Sequence, residues 1–172
     1  YPYFIDVRSD GMDSDSPIVS NLPAVTMQWA SPLTLDEAKM EGRQVDVLLR
    51  STAESWLRSA ADVQPDLTNH PKLGFAIEGE QKAHTLAVAI RGSFQSYFRD
   101  KASPFAEQGE ATPTATATAT ATPEPALGAV EASPETSRLV VIGSAEFIDD
   151  TVLQILSSTS ADRYLYNLQL MQ

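Results

Sequence analysis

The chain has 172 residues, of which 42% are hydrophobic, and its 12 basic and 23 acidic side chains give a net charge of −11. This hydrophobic fraction is enough for a folded core, and no apolar stretch approaches the ~18 residues of a membrane span. An acidic surface repels phosphate backbones and anionic lipid, which argues against nucleic acid as a partner. Because the chain has no cysteine, thiol nucleophiles, thiolate metal sites and disulfides are excluded.

Strand patterns dominate the first hundred residues. Either an alternation of apolar and polar residues or a short apolar run is typical of strands in five segments: 3–7, 24–33, 44–49, 73–77 and 85–90. The chain starts without an initiator Met, and its apolar pattern is still running where it stops. We therefore expect a piece of a larger protein.

Two capping boxes mark candidate helix starts. Ser51-Thr-Ala-Glu54 predicts a short helix, because Ser51 can accept a bond from a first-turn amide while Glu54 reaches back. Thr34-Leu-Asp-Glu37 has the same pattern, with Gly42 as a stop. A loop between two strands explains that second segment equally well, and the sequence leaves both interpretations open.

Residues 106–135 form a low-complexity segment of Ala, Thr, Pro and Glu without aromatic side chains. Such a composition cannot bury enough apolar surface to offset its ordering entropy, so we predict a disordered linker. A glycosylatable stalk and a tolerated surface insertion are both open, and each favours an exterior location. Because strand patterns flank the segment, we expect it to interrupt a single domain of residues 1–172.

The segment after the linker predicts a strand, a turn and a helix. Residues 139–142 are wholly apolar, Gly143 follows, and residues 151–156 are amphipathic. A wholly apolar strand is typical of burial on both faces, which places it in the middle of an α/β sheet. A last helix is expected to begin near Asp162, a natural N-cap. The predicted fold is therefore α/β, with a mixed, mostly parallel sheet flanked by a few helices.

The junction after this strand is also the predicted ligand site. Open α/β sheets bind ligands at the carboxyl ends of parallel strands, so a ligand crevice is expected at Gly143, Ser144 and Glu146. An α/β hydrolase nucleophile would also lie here, but Glu146 replaces the second glycine of that motif. A degenerate hydrolase or amidotransferase-like fold would need Ser144 within hydrogen-bond reach of His70 or His84. We predict no catalytic, cofactor-binding or metal-binding residue.

The remaining candidates have simpler explanations. Four aspartates among the first fifteen residues do not follow the order of a Ca²⁺-binding loop, which favours a solvated acidic loop. Asp149 and Asp150 suit the positive end of a helix dipole. Trp29 and Trp56 lie on apolar faces, which favours core packing over a carbohydrate-stacking platform. An exposed indole beside an apolar pocket would instead favour a small-molecule or glycan-binding sensor domain.

Several phrases occur in a set order outside the linker: SPIV at 16–19, QWASPL at 28–33, VLLRST at 47–52, LAVAIRG at 86–92, RLVVIGSAEF at 138–147, and Asn167. Together they resemble the GldG-type auxiliary components of ABC transporters, an uncharacterised transport-system family associated with gliding motility. The resemblance implies a bacterial extracytoplasmic domain, tethered by membrane segments outside this sequence, beside an ABC permease and its ATPase. It implies no catalytic residues. We therefore expect a non-enzymatic accessory domain that acts through protein–protein contacts.

Overall fold

A computed structural model describes residues 2–59, 62–99, 101, 130–150, 154 and 162–172. Contacts divide the chain into two units, Tyr1–Ile90 with Leu139–Gln172, and Arg91–Arg138. None of the helices in the described part has the length and apolar character that a membrane crossing requires. The elements are β1 (Phe4–Val7), a 3-10 turn (Ser9–Gly11), β2 (Val25–Gln28), α1 (Glu37–Met40), β3 (Gln44–Arg50), β4 (Thr85–Arg91), β5 (Arg138–Ile142) and α2 (Asp162–Leu170).

The strands form two small sheets. β1 pairs with β2 in antiparallel orientation, and the second sheet has the order β3-β4-β5. β4 and β5 are antiparallel, because the Gly143 amide donates to the Leu86 carbonyl at one end and the Gly92 amide donates to the Ser137 carbonyl at the other. β3 also runs against β4, because the Ser51 amide, just after the end of β3, donates to the His84 carbonyl, just before the start of β4.

The prediction of a mixed, mostly parallel α/β sheet is wrong, because the strands are mostly antiparallel and both helices above are short. β5 was expected in the middle of the sheet, but it lies at an edge, where Leu139 and Val140 are 43% and 47% exposed. β4 takes the central place and is buried from Leu86 to Ile90. A run of apolar residues predicts a hydrophobic strand. It does not predict the direction of the neighbouring strands or how many of them there are.

Two local predictions are also corrected. No strand forms at residues 73–77. No helix starts at Ser51, because its hydroxyl accepts from the His84 amide at 2.9 Å and its amide donates to the His84 carbonyl at 2.9 Å. These bonds continue the pairing of β3 with β4. The undecided segment at 34–37 leads into α1, which Asp36 caps by accepting from the Lys39 amide.

The core belongs to the first unit and draws on both sheets. α2 begins at Asp162, as predicted, and docks on β2 through Asn167, which is 1% exposed. The Asn167 amide nitrogen donates to the carbonyls of Thr26 (2.7 Å) and Phe147 (3.0 Å), and its oxygen accepts from the Thr26 amide (3.1 Å). The buried core side chains are Val7, Val19, Val25, Met27, Leu48, Leu49, Leu86, Ala87, Ala89 and Phe147.

The second unit contains a short antiparallel arm. The Ser133 amide donates to the Phe94 carbonyl and the Ser96 amide donates to the Glu131 carbonyl, each at 2.8 Å. The arm therefore includes the last residues of the predicted linker 106–135. The remainder of that linker, and all of the predicted amphipathic segment 151–156 except Gln154, lie outside the described residues.

Candidate functional site

The three residues of the predicted crevice lie at the end of β5, where two of them hold the loop that follows β2. The Gly143 carbonyl accepts from the Ser31 amide at 2.6 Å, and a Cβ on Gly143 would overlap the Ser31 carbonyl oxygen. The Ser144 hydroxyl donates to the Gln28 carbonyl at 2.6 Å, while Glu146 is exposed. Gly143, through its backbone, and Ser144, through its hydroxyl, thus link the end of β5 to β2 and the loop that follows β2.

This arrangement bears on the hydrolase hypothesis. The Ser144 hydroxyl already donates its hydrogen bond to the Gln28 carbonyl. Within the described ranges, no hydrogen bond links Ser144 to His70 or His84. A serine nucleophile needs a base in hydrogen-bond contact. The ligand crevice at Gly143, Ser144 and Glu146 stays a prediction, since neither pocket described below is lined by these residues.

A pocket of about 790 Å³ opens beside β1. Its size falls within the range of small-molecule sites. Aromatic side chains of Tyr3, Trp56 and Phe75 contribute to its walls, and so do the polar side chains of Arg58 and His84. Most of the wall comes from segments without regular secondary structure, which explains why no periodic pattern in the sequence pointed to it.

Arg58 organises one wall of this pocket. Its Nε donates to Glu78 at 3.0 Å and its Nη1 donates to the Tyr3 hydroxyl and to the Asp62 carbonyl, each at 3.3 Å. The guanidinium carbon lies 4.9 Å from the centre of the Phe75 ring. Desolvation lowers the pKa of Arg58, but the hydrogen bonds with Glu78 and Tyr3 outweigh it and raise that pKa overall. The wall therefore carries a permanent cation that is already paired with a carboxylate.

Tyr3 connects the pocket to an exposed aromatic surface. Its ring centre lies 5.3 Å from Phe75 and 4.8 Å from Trp29, and Trp29 lies 6.4 Å from Phe4. Phe4 and Trp29 are each 42% exposed, and we call them the Phe4–Trp29 patch. Core packing was the wrong prediction for Trp29, because its left-handed backbone (φ 50°) ends the extended conformation of β2 and leaves the indole exposed. Trp56 is partly buried and lines the pocket.

Three buried side-chain atoms have no hydrogen-bond partner among the described residues: His84 Nε2 and both amide atoms of Gln28. An unpaired buried polar atom costs about 1–3 kcal/mol, so each one calls for a partner. His84 also lines the 790 Å³ pocket. Its Nε2 is therefore a hydrogen-bonding group that a bound molecule could use.

A second, more polar pocket lies beside the 3-10 turn. Asp10 and Asp13 line it from one side, and Asp46 and Arg50 line it from β3. In the part of the chain that the structure describes, no group of three or more His, Cys, Asp or Glu side chains could hold a metal ion. Asp13 instead accepts from the Asp15 amide at 3.1 Å, which closes a local turn.

A model of the family described as "ABC-type uncharacterized transport system" matches residues 1–171. No curated protein and no solved structure matches the chain. The family match spans both contact units, and it includes the strands and the loops that build the pocket and the Phe4–Trp29 patch.

Proposed function

Because the chain belongs to the ABC-type uncharacterized transport system family, we propose that it is a non-enzymatic accessory domain that works through protein–protein contacts. The proposal places it on the extracytoplasmic side of a bacterial membrane, with an ABC permease and its ATPase as partners. A closer kinship with the GldG-type components associated with gliding motility is part of the same proposal. The observation that carries it is the Phe4–Trp29 patch.

The Phe4–Trp29 patch combines two unfavourable features. A left-handed backbone at a residue other than glycine costs about 1–2 kcal/mol, and Trp29 (φ 50°) accepts that cost. In addition, the two large rings remain 42% exposed to water. Strained residues persist where function requires their geometry, and aromatic side chains dominate the binding energy of protein interfaces. Contact with a partner subunit accounts for both features.

Co-purification tests the proposal. The protein is expressed with candidate ABC permease and ATPase subunits from the same source, extracted in mild detergent and captured through its tag. Trp29→Asn removes the indole while keeping a residue that tolerates the left-handed backbone. We expect recovery of the partners to fall at least ~10-fold, as for loss of an interface hot spot.

Leu67→Asn provides the matched control, because Leu67 is also apolar and is 61% exposed but lies outside the patch. Recovery is expected to match that of the unchanged protein. Equal recovery with Trp29→Asn would show that the patch is not the contact. Failure of the unchanged protein to recover either partner would remove the accessory role itself.

A second candidate function is a small-molecule or glycan-binding sensor domain. It is supported by the 790 Å³ pocket, which is lined by Trp56 and by His84, whose Nε2 has no partner among the described residues. Aromatic faces with nearby polar groups suit sugars and other polar ring compounds. Titration with a panel of monosaccharides and oligosaccharides, followed by tryptophan fluorescence, tests it. A saturable change that persists in Trp29→Asn and disappears in Trp56→Ala is expected, and no change with any compound would discard this candidate.

A further inference from the structure

The Trp29 indole lies against Tyr3. The Trp29 amide donates to the Tyr3 carbonyl at 3.0 Å, which extends the pairing of β1 with β2 by one residue beyond Phe4 and Gln28. The two ring centres are 4.8 Å apart, and the ring planes meet at 32°. An aromatic contact is attractive beyond the area that it buries, with a strength comparable to the cost of a left-handed residue. The contact with Tyr3 therefore helps to hold Trp29 in its left-handed conformation.

Tyr3 is itself held from the side of the pocket. Its hydroxyl accepts from Arg58 Nη1 at 3.3 Å and donates to the Asp62 carbonyl at 3.1 Å. Its ring meets the buried Phe75 ring in a T-shaped contact, with the ring centres 5.3 Å apart. A polar network whose members are hydrogen-bonded makes the side chains within it rigid. Both the ring and the hydroxyl of Tyr3 are thus fixed in place.

Arg58 is the centre of this support. Its Nε donates to Glu78 at 3.0 Å, and its guanidinium carbon lies 4.9 Å from the centre of the Phe75 ring. Because the guanidinium is planar, the bond at Nε also fixes the direction in which Nη1 donates. A chain of contacts therefore runs from Arg58 through Tyr3 to the indole of Trp29.

We infer that Tyr3 is a positioning residue, which orders the Trp29 indole for contact with a partner before that partner binds. A side chain that is already ordered loses little rotational freedom in the complex, so more of the contact energy appears as affinity. The effect on the partner rests on the proposed function. The order of the indole in the protein alone does not depend on that function and is measured separately.

Tryptophan fluorescence tests the order of the indole. Because the chain has two tryptophans, Trp56→Phe leaves Trp29 as the single emitter. In this background, Tyr3→Phe keeps the aromatic ring and removes the hydroxyl. We expect the amplitude of the subnanosecond anisotropy decay to rise about twofold, since a released side chain rotates within picoseconds to nanoseconds. Tyr97→Phe removes the hydroxyl of an exposed tyrosine elsewhere in the chain and is expected to leave the decay unchanged.

A double-mutant cycle separates positioning from a general loss of structure. Arg58→Met removes the donor to the Tyr3 hydroxyl without changing Tyr3 or Trp29, and it is expected to raise the amplitude as much as Tyr3→Phe does. Both substitutions interrupt the same contact, so we expect the double variant to match either single variant. Independent losses of structure would add instead, and far-UV circular dichroism identifies a variant that does not fold. If Arg58→Met does not fold, Tyr3→Phe decides alone.

Partner recovery in the co-purification experiment gives the functional readout. We expect Tyr3→Phe to lower it about fivefold, the factor that corresponds to one hydrogen bond. An unchanged anisotropy amplitude in Tyr3→Phe overturns the inference, as does a larger amplitude with undiminished recovery. Failure of the unchanged protein to recover a partner removes the proposed function, and the amplitude then decides whether Tyr3 orders Trp29.

Discussion

β2 and β5 show opposite relations between composition and burial. β2 has the sequence Val-Thr-Met-Gln, half of it polar, yet all four residues are buried. β5 is apolar after its first residue, yet Leu139 and Val140 remain more than two-fifths exposed. β2 is covered by β1 and α2, whereas β5 has β4 as its strand neighbour among the described residues. Burial of a strand is thus decided by what packs on it.

Thr26, one of the two polar residues of β2, shows how a polar residue is accommodated in a buried strand. Asn167 bonds both backbone groups of Thr26, as a neighbouring strand would. The Thr26 hydroxyl donates to the Asp6 carboxylate at 3.1 Å. Buried polar groups are tolerated when they are hydrogen-bonded, so α2 in effect supplies β2 with a second edge partner.

Removing that partner is expected to have the largest effect on stability. Asn167→Ala leaves three buried backbone groups without their bonds, and at 1–3 kcal/mol each we expect a loss of about 4 kcal/mol in the free energy of unfolding. Urea denaturation followed by circular dichroism measures it. Gln169→Ala, an exposed position on the same helix, is the control and should change little. A loss below about 1 kcal/mol for Asn167→Ala would mean that α2 does not hold β2.

Truncation of apolar side chains compares the two strands directly. Met27→Ala in β2 empties a fully buried site and is expected to cost about 3 kcal/mol. Val140→Ala in β5 removes two methyl groups from a residue that is 47% exposed, so we expect a cost below about 1 kcal/mol. Urea denaturation of the two variants in parallel measures both costs. Similar costs for the two substitutions would show that β5 contributes as much buried apolar surface as β2.

A substitution of Gly143, at the end of β5, is expected to have a smaller effect on stability. Gly143→Ala forces a Cβ against the Ser31 carbonyl oxygen, and we expect it to cost about 2 kcal/mol, because backbone on both sides resists the shift. Gly79→Ala is the matched control, since Gly79 has φ 68° and open space around it. Its expected cost of about 1 kcal/mol comes from backbone conformation alone. Equal thermal shifts for the two variants would show that Gly143 is not held tightly.

The smallest expected change is at the last residue of β2. Gln28→Leu replaces a buried amide that has no described hydrogen-bond partner. No hydrogen bond from a described residue offsets the cost of desolvating that amide. The substitution is therefore expected to leave the free energy of unfolding unchanged or to raise it by up to about 1 kcal/mol. Chemical denaturation of the two chains in parallel measures it. Destabilisation instead would show that the amide of Gln28 has a bound water or another partner.

The sequence predicted the elements better than their arrangement. The patterns at 3–7, 44–49 and 85–90 correspond to β1, β3 and β4, and the helix start predicted near Asp162 corresponds to α2. Apolar alternation fixes a strand locally and does not encode its direction, so the parallel α/β arrangement could not be read from it. The helix at Ser51 failed for another reason. The Ser51 hydroxyl could accept from either of two donors, a first-turn amide or the distant His84 amide. A sequence pattern indicates only the donor that is close along the chain.

The candidate site was the least predictable part. Segments 51–58 and 73–84 build most of the pocket, and they were expected to include a helix and a strand. Arg58, Phe75 and Tyr3 come together from distant positions in irregular loops, and no spacing rule connects them. Trp29 is the exception, since its indole was already recognised as a candidate for binding if exposed.

The bonds between Asn167 and Thr26 span 141 positions of sequence. Contacts of such separation form late in folding, because the chain between them must first be closed into a loop. During synthesis, β2 therefore emerges from the ribosome long before the helix that completes it. β2 stays half-covered until the 141 further positions that lead to Asn167 have been made, and uncovered strand edges of this kind promote aggregation.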